Sequence, residues 1–232
     1  MCGRFTIVPT VDFYERFGIP PGSPPAPKYN VAPGQEVPVI TGEGGNRLVP
    51  MTWGLIAPFV QDPIGGRPMI NARAETLLSR PAFRDAVRGR RCLVPATGFY
   101  EWKSEGRRRV PFYIRLKAGP LFAFAGIYEV RPGPPGDSLA TFAIITTEPN
   151  KVVSPLHDRM PAILGRENER RWIGAGEIGA GDLAGMLAPY PAPEMEAYPV
   201  SGRVNDPAND GPDLVRPLAG LEKTDFPRSL GD

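Results

Sequence analysis

The sequence predicts an α+β domain with a mainly antiparallel β core, curled into a barrel-like sheet and flanked by short helices. Two observations carry this. Short segments rich in β-branched and aromatic residues follow one another through the middle of the chain, at residues 92–95, 99–103, 111–116, 121–128 and 139–147, without regular crossover helices between them. The 30 prolines and 27 glycines punctuate apolar segments instead of clustering, which describes many short elements rather than a low-complexity chain.

In chain order, residues 11–17 read as a short amphipathic helix. Residues 37–41 and 48–53 are strand-like and are separated by the turn Gly42-Glu43-Gly44-Gly45-Asn46. Residues 74–79 and 82–87 read as short helices on either side of Pro81. The five central strands follow, and the turn Ser104-Glu105-Gly106-Arg107 folds two of them into a hairpin. Residues 168–173 are expected to be helical and 194–200 to form a last strand, while the proline-rich stretches 20–27 and 132–135 read as surface loops. No internal repeat and no linker divides the chain, so one domain is expected over 1–232.

Charge is nearly balanced, 27 basic against 25 acidic residues, so any site for a polyanion must be a local patch. Two widely separated cysteines behind no hydrophobic leader argue for a reducing, cytoplasmic setting with Cys2 and Cys92 as free thiols. No apolar run approaches a membrane-spanning length. Neither a metal nor another cofactor is expected; a zinc site from Cys2, Cys92 and His157 would lack any recognisable ligand spacing.

The chemistry begins at Cys2. If Met1 is removed, one residue carries a free α-amine and a thiol. An aldehyde condenses with the amine to give an imine, and the tethered thiol closes on the imine carbon as a five-membered thiazolidine. The amine's reference pKa of about 7.7–8.0 leaves a usable neutral fraction near pH 7. Three further positions carry polar chemistry. His157 is the chain's one histidine, the side chain best matched to proton transfer near neutrality. Glu101 lies among bulky apolar neighbours; strand alternation places it on a wet face, whereas burial would raise its pKa and let it shuttle a proton. Asn71 precedes a helical segment, where it serves either as a cap or as an amide that binds a reacting amine or hydroxyl.

Together these positions sit in an ordered set of motifs. Met1-Cys2-Gly3-Arg4-Phe5, Tyr29-Asn30-Val31-Ala32-Pro33-Gly34, Trp53-Gly54-Leu55, Asn71-Ala72-Arg73-Ala74-Glu75-Thr76, Arg91-Cys92-Leu93-Val94-Pro95, Gly98-Phe99-Tyr100-Glu101-Trp102-Lys103 and His157-Asp158-Arg159-Met160-Pro161 follow one another as in the SOS response-associated peptidase (SRAP) family. The resemblance covers residue 1 to about 205, with 206–232 expected as a peripheral tail. It implies the SRAP fold and a protein that crosslinks through an N-terminal cysteine to abasic sites in single-stranded DNA. An abasic deoxyribose opens to an aldehyde, the electrophile an amine-thiol pair takes. By motif match Cys2 is the nucleophile, Asn71 positions the amine or the sugar, and Glu101 and His157 move protons.

The resemblance also implies DNA contacts. Arg4 and Arg73 match phosphate-clamping positions, with Arg80 or Arg84 adding a third. Thr146 matches a threonine that touches the DNA backbone, Trp102 supports the sugar or a base, and Pro33 belongs to the same DNA-facing set. Where many relatives carry a wedge tryptophan, Ala57-Pro58-Phe59-Val60 offers Phe59 instead. The run Arg107-Arg108-Arg109 reads as a solvated turn with weak electrostatic steering. Replication-associated proteins that deliver the chain to damage are left unidentified. Two other classes remain open: a cysteine peptidase built from Cys2, His157 and Asn71, including self-removal of Met1, and a non-covalent single-strand-binding module.

Overall fold

The computed structural model describes residues 2–42, 44–60, 68–132 and 138–218. Its strands are β1 (Phe5–Ile7), β2 (Lys28–Val31), β3 (Glu36–Thr41), β4 (Arg47–Trp53), β5 (Asn71–Arg73), β6 (Arg91–Ala96), β7 (Gly98–Glu105), β8 (Arg108–Leu116), β9 (Phe122–Pro132), β10 (Ser138–Thr147), β11 (Met160–Pro161), β12 (Ile163–Leu164) and β13 (Met195–Pro199). The α-helices are α1 (Phe13–Phe17), α2 (Arg84–Gly89), α3 (Arg166–Ile173) and α4 (Ala180–Met186).

Five strands close into a ring. β10 runs parallel to β4, and β4 to β3, β3 to β6, β6 to β9 and β9 back to β10 are antiparallel. Closure removes the exposed edges that an open sheet would leave. β5 extends the barrel by pairing in parallel with β10, Ile144 opposite Asn71, and β11 pairs with the end of β10 at Thr146. A second, antiparallel sheet runs in the order β13-β8-β7-β1-β2. Phe5 of β1 locks the two together: its ring lies 5.1 Å from Trp53 and 5.9 Å from Phe124, edge-on to both. Each such pair contributes about 0.5–1.5 kcal/mol beyond the area it buries. The fold class read from the sequence is therefore the one observed, a curled, mainly antiparallel β core with short helices around it.

Several element readings need correction. Residues 74–79 form only a 3-10 turn, Ala74–Thr76, and the following helix begins at Arg84 rather than 82. The first helix starts at Phe13, with Val11 fully exposed, and ends at Gly18, whose φ of 60° turns the chain back so that two amides cap the last carbonyls. Strands β1, β2, β5, β11 and β12 were not anticipated, because two to four residues are too few to show a period. Helix α4 was missed because its AGDLAGM sequence carries Gly181 and Gly185, each costing about 1 kcal/mol against helix formation; buried Leu183 and Met186 hold it in place. Residues 206–218, expected as part of a peripheral tail, instead include a turn, Pro212–Val215, with Leu214 fully buried. Glu43 of the first turn and residues 133–135 of the second loop lie outside the described residues, as does 219–232.

Arg91 explains part of one motif. It is buried, and its guanidinium donates to the carbonyls of Val87, Arg88, Trp172, Gly174 and Gly176, tying the ends of α2 and α3 to β6. Its role is structural.

Candidate active site

The N-terminal segment, one strand of each sheet and one loop build the site. Cys2 precedes β1, Glu101 lies on β7, Asn71 opens β5, and His157 sits between β10 and β11. The Asn71 amide donates from Nδ2 to the Cys2 carbonyl at 2.9 Å, which joins the barrel's added strand to the N-terminal segment. Its Oδ1 is buried with no hydrogen-bond partner among the described residues. An acceptor left so costs about 1–3 kcal/mol, and a donor arriving there recovers it.

The Cys2 thiol is fully buried, and its Sγ lies 3.9 Å from the Arg4 carbonyl. Burial and then the Glu101 carboxylate push its pKa well up, so the thiol stays protonated. Glu101 is itself only 2 % exposed, and burial raises its pKa to about 7, with Asp158 acting in the same direction. The wet-face alternative for Glu101 fails because β7 is covered on both sides. Residues 98–101 are all buried: Phe99 packs edge-on to Phe124 of the barrel, while Tyr100 packs with Tyr113 and Tyr198 on the other face. Glu101, two residues from Phe99, shares the inward face.

His157 is about one-third exposed, and partial burial holds its pKa below the usual value although Asp158 pulls the other way. Its Nδ1 accepts from the Arg159 amide at 3.0 Å and also lies 2.7 Å from Asp158 Oδ1. One nitrogen cannot do both at once: the neutral ring accepts from Arg159, the protonated ring pairs with Asp158. The lowered pKa favours the first, which makes Nε2 the protonated nitrogen of the resting imidazole. Asp158 acts electrostatically on both His157 and Glu101, which brings the two side chains into one field.

The other positions differ in how they are placed. Arg73, Arg80, Arg84, Pro33 and Phe59 are exposed, Phe59 at 64 %. Arg80 lies over the Phe83 ring at 5.4 Å and Arg84 pairs with Asp85. Trp102 is half-buried and donates from Nε1 to Asn205 Oδ1 at 2.7 Å. Arg4 is held in place by uncharged acceptors: it donates to Asn30 Oδ1 and to the carbonyls of Val204 and Asn205. Thr146 is fully buried between β5 and β11, and its hydroxyl has no hydrogen-bond partner among the described residues. Arg159 was missed as a separate candidate. It pairs bidentately with Glu75 and reaches the Thr146 carbonyl, so it fixes the His157 loop against the turn that follows β5.

Among the described residues no group of three or more His, Cys, Asp or Glu side chains converges. A surface depression of 570 Å³ is lined by residues of α1, β8, β9, β12, α3 and α4 and the loops beside them, and by none of Cys2, Asn71, Glu101 or His157. What the arrangement offers is a buried thiol, an acid that exchanges its proton near neutrality, a neutral imidazole and an unmet amide oxygen.

Comparison with known proteins gives a consistent result. A family model described as SOS response associated peptidase (SRAP) matches residues 1–207. The abasic site processing protein YoqW of Bacillus subtilis is 46 % identical over 221 residues, covering 93 % of this chain and 99 % of that one. The abasic site processing protein YedK of Escherichia coli is 32 % identical over 229 residues, covering 94 % and 100 %. A crystal structure of a protein from Bacteroides thetaiotaomicron superposes with a TM-score of 0.71 at 31 % identity, covering 82 % of this chain and 85 % of that one.

Proposed function

The chain belongs to the SOS response associated peptidase family, and we propose that it processes abasic sites in single-stranded DNA by capturing the sugar aldehyde on Cys2. The relatives named above as abasic site processing proteins support the substrate. The observation that carries the chemistry is the buried thiol beside Glu101, an acid whose pKa burial sets near 7.

The reaction needs the Cys2 α-amine, so removal of Met1 comes first. The amine adds to the aldehyde carbon of the ring-opened deoxyribose, and the resulting carbinolamine loses water to become an imine once its hydroxyl receives a proton. Protonated Glu101 supplies that proton, and its carboxylate then accepts the proton that the Cys2 thiol gives up as sulfur bonds to the imine carbon. Loss of water leaves the imine protonated on nitrogen, so the C=N electron pair returns to a nitrogen that keeps its one hydrogen, no further proton is needed, and a neutral thiazolidine results. Tethering both nucleophiles to one residue makes ring closure intramolecular, where effective molarities reach roughly 10⁵–10⁸ M. Asn71 Oδ1 accepts from the amine or a sugar hydroxyl, and His157 serves as the second proton carrier, for ring opening of the sugar and reversal of the adduct. Closing the imine into a thiazolidine removes the state from which β-elimination would cut the strand.

The cysteine peptidase alternative needs a thiolate, and both burial and Glu101 act against one. Any peptidase activity of this chain is assigned to removal of Met1. Exposed Arg73, Arg80 and Phe59, with Pro33, supply the phosphate and base contacts, and two free thiols suit the reducing cytoplasm in which such DNA is found.

The test mixes the protein with a uracil-containing single-stranded oligonucleotide treated with uracil glycosylase, followed by a denaturing gel. A covalent band is expected from protein whose intact mass shows Met1 removed, and none from Cys2→Ala. No band from correctly processed wild-type protein overturns the reading, and a band of equal strength from Cys2→Ala overturns the role of Cys2.

A further inference from the structure

Asn30 belongs to a motif whose chemistry the reaction above leaves unused, and it is 1 % exposed. A buried primary amide has two donors and an acceptor to satisfy, and here all are engaged. Its Oδ1 accepts from Arg4 Nη1 at 2.8 Å. Its Nδ2 faces three carbonyls, Val204 at 3.2 Å, Asp206 at 3.0 Å and Asn209 at 2.8 Å. Three acceptors on one side fix the amide's orientation, because an oxygen turned toward them would be repelled.

The strap from 204 to 209 is thereby tied to β2, and it is tied a second time to the residues around the nucleophile. Arg4 donates to Val204 O at 2.7 Å and to Asn205 O at 3.3 Å, and the Asn205 side chain accepts from Trp102 Nε1 at 2.7 Å. Arg4 O in turn receives the Tyr100 amide of β7 and lies beside Cys2 Sγ. These bonds use three of the five guanidinium N–H groups of Arg4, leaving the Nε–H and one Nη2–H, the edge that grips an oxyanion with two parallel bonds.

We infer that Asn30 is a positioning residue for DNA engagement: it anchors the 204–209 strap, and the strap holds Arg4 and Trp102 in place for one bound strand beside Cys2. This rests on the proposed abasic-site reaction, which supplies the strand. Without the strap both side chains regain the rotamer freedom that binding must then remove again. The effect belongs to binding, since neither Asn30 nor Asn205 touches the reacting atoms.

The experiment separates binding from chemistry with two single-stranded oligonucleotides. One carries a tetrahydrofuran site, which has no aldehyde and reports Kd alone; the other carries a true abasic site and reports the crosslinking rate at saturating DNA. Asn205→Ala, at an exposed position, is expected to raise Kd about five- to tenfold, the loss of the one net hydrogen bond its side chain accepts from Trp102, with an unchanged thermal midpoint and saturating rate. Asn30→Ala is expected to raise Kd at least as far and to lower the midpoint as well. Wild-type Kd in a folded Asn30→Ala or in Asn205→Ala overturns the inference, as does an Asn205→Ala defect confined to the saturating rate. Failure of the wild-type protein to crosslink overturns the parent reaction instead, while its tetrahydrofuran Kd still tests the strap.

Discussion

At the scale of single residues the two ends of the chemistry differ in how far the sequence discloses them. Cys2 stands out by position, because only a residue that becomes terminal can pair an amine with a thiol, and the ordered motifs around it supply the reason to read that pairing as chemistry. Glu101 is not: alternation assigns it a wet face, and its burial follows from a barrel on one side of β7 and a tyrosine cluster on the other. Asn30 is further out of reach, since the carbonyls it binds lie 174 to 179 residues away. The burial of Glu101 gives a prediction with a definite sign. Its carboxyl goes from 4.5 to about 7 on folding, so the folded state prefers the protonated form. The stabilisation is complete below about pH 4.5 and is lost as pH rises through about 7, in total about 3 kcal/mol. Glu101→Gln cannot titrate, so the denaturation midpoint of wild type relative to this variant should fall across that window; parallel pH profiles would show that Glu101 titrates normally. The same variant should slow crosslinking about 100-fold near pH 7 and flatten the rate's pH dependence there, with the tetrahydrofuran Kd little changed.

At the scale of elements, the sequence discloses those whose turns and periods are local. The β7–β8 hairpin is foretold by its turn, which the structure narrows to Gly106 and Arg107 between paired Glu105 and Arg108, with Gly106 at a φ of 60°. The strand that carries Glu101 is thus placed correctly, and what escaped notice is how tightly it is set. A Cβ on Gly98 would lie 2.3 Å from the Tyr113 ring. That ring cannot easily yield, since its hydroxyl is 2.8 Å from Thr6 Oγ1, which is 2.7 Å from Thr97 Oγ1. Gly98→Ala should therefore cost about 1–3 kcal/mol through overpacking and lower the urea midpoint. Gly89→Ala at the end of α2 is the control: a Cβ there meets nothing within 4 Å and φ is ordinary, so stability should hold or rise by about 0.4–1 kcal/mol. Equal midpoints for the two variants would mean that β7 has room the geometry denies.

At the scale of the molecule, the predicted curl of the sheet becomes a closed ring, and the closure itself is unreadable in the sequence. It depends on β10 lying parallel to β4 and then to β5, pairings between segments some 70 to 90 residues apart that no local pattern encodes. That closure is also what makes the site, because β5 brings Asn71 to Cys2 and leaves Arg73 exposed at its far end. With a net charge of only +2, DNA affinity cannot come from the protein's overall field and must come from a few placed cations. Their number is measurable, since each phosphate neutralised on a single strand adds about −0.7 to the slope of log K against log salt concentration. Arg73 has no ion pair among the described residues and is exposed on the strand that carries Asn71. Arg73→Ala should accordingly flatten the slope by about 0.7 and weaken binding to every sequence alike, leaving the saturating crosslink rate of bound complex in place. Titrating the tetrahydrofuran oligonucleotide at several salt concentrations reads the slope directly. An unchanged slope would place the DNA backbone away from β5, and with it away from the strand that carries Asn71.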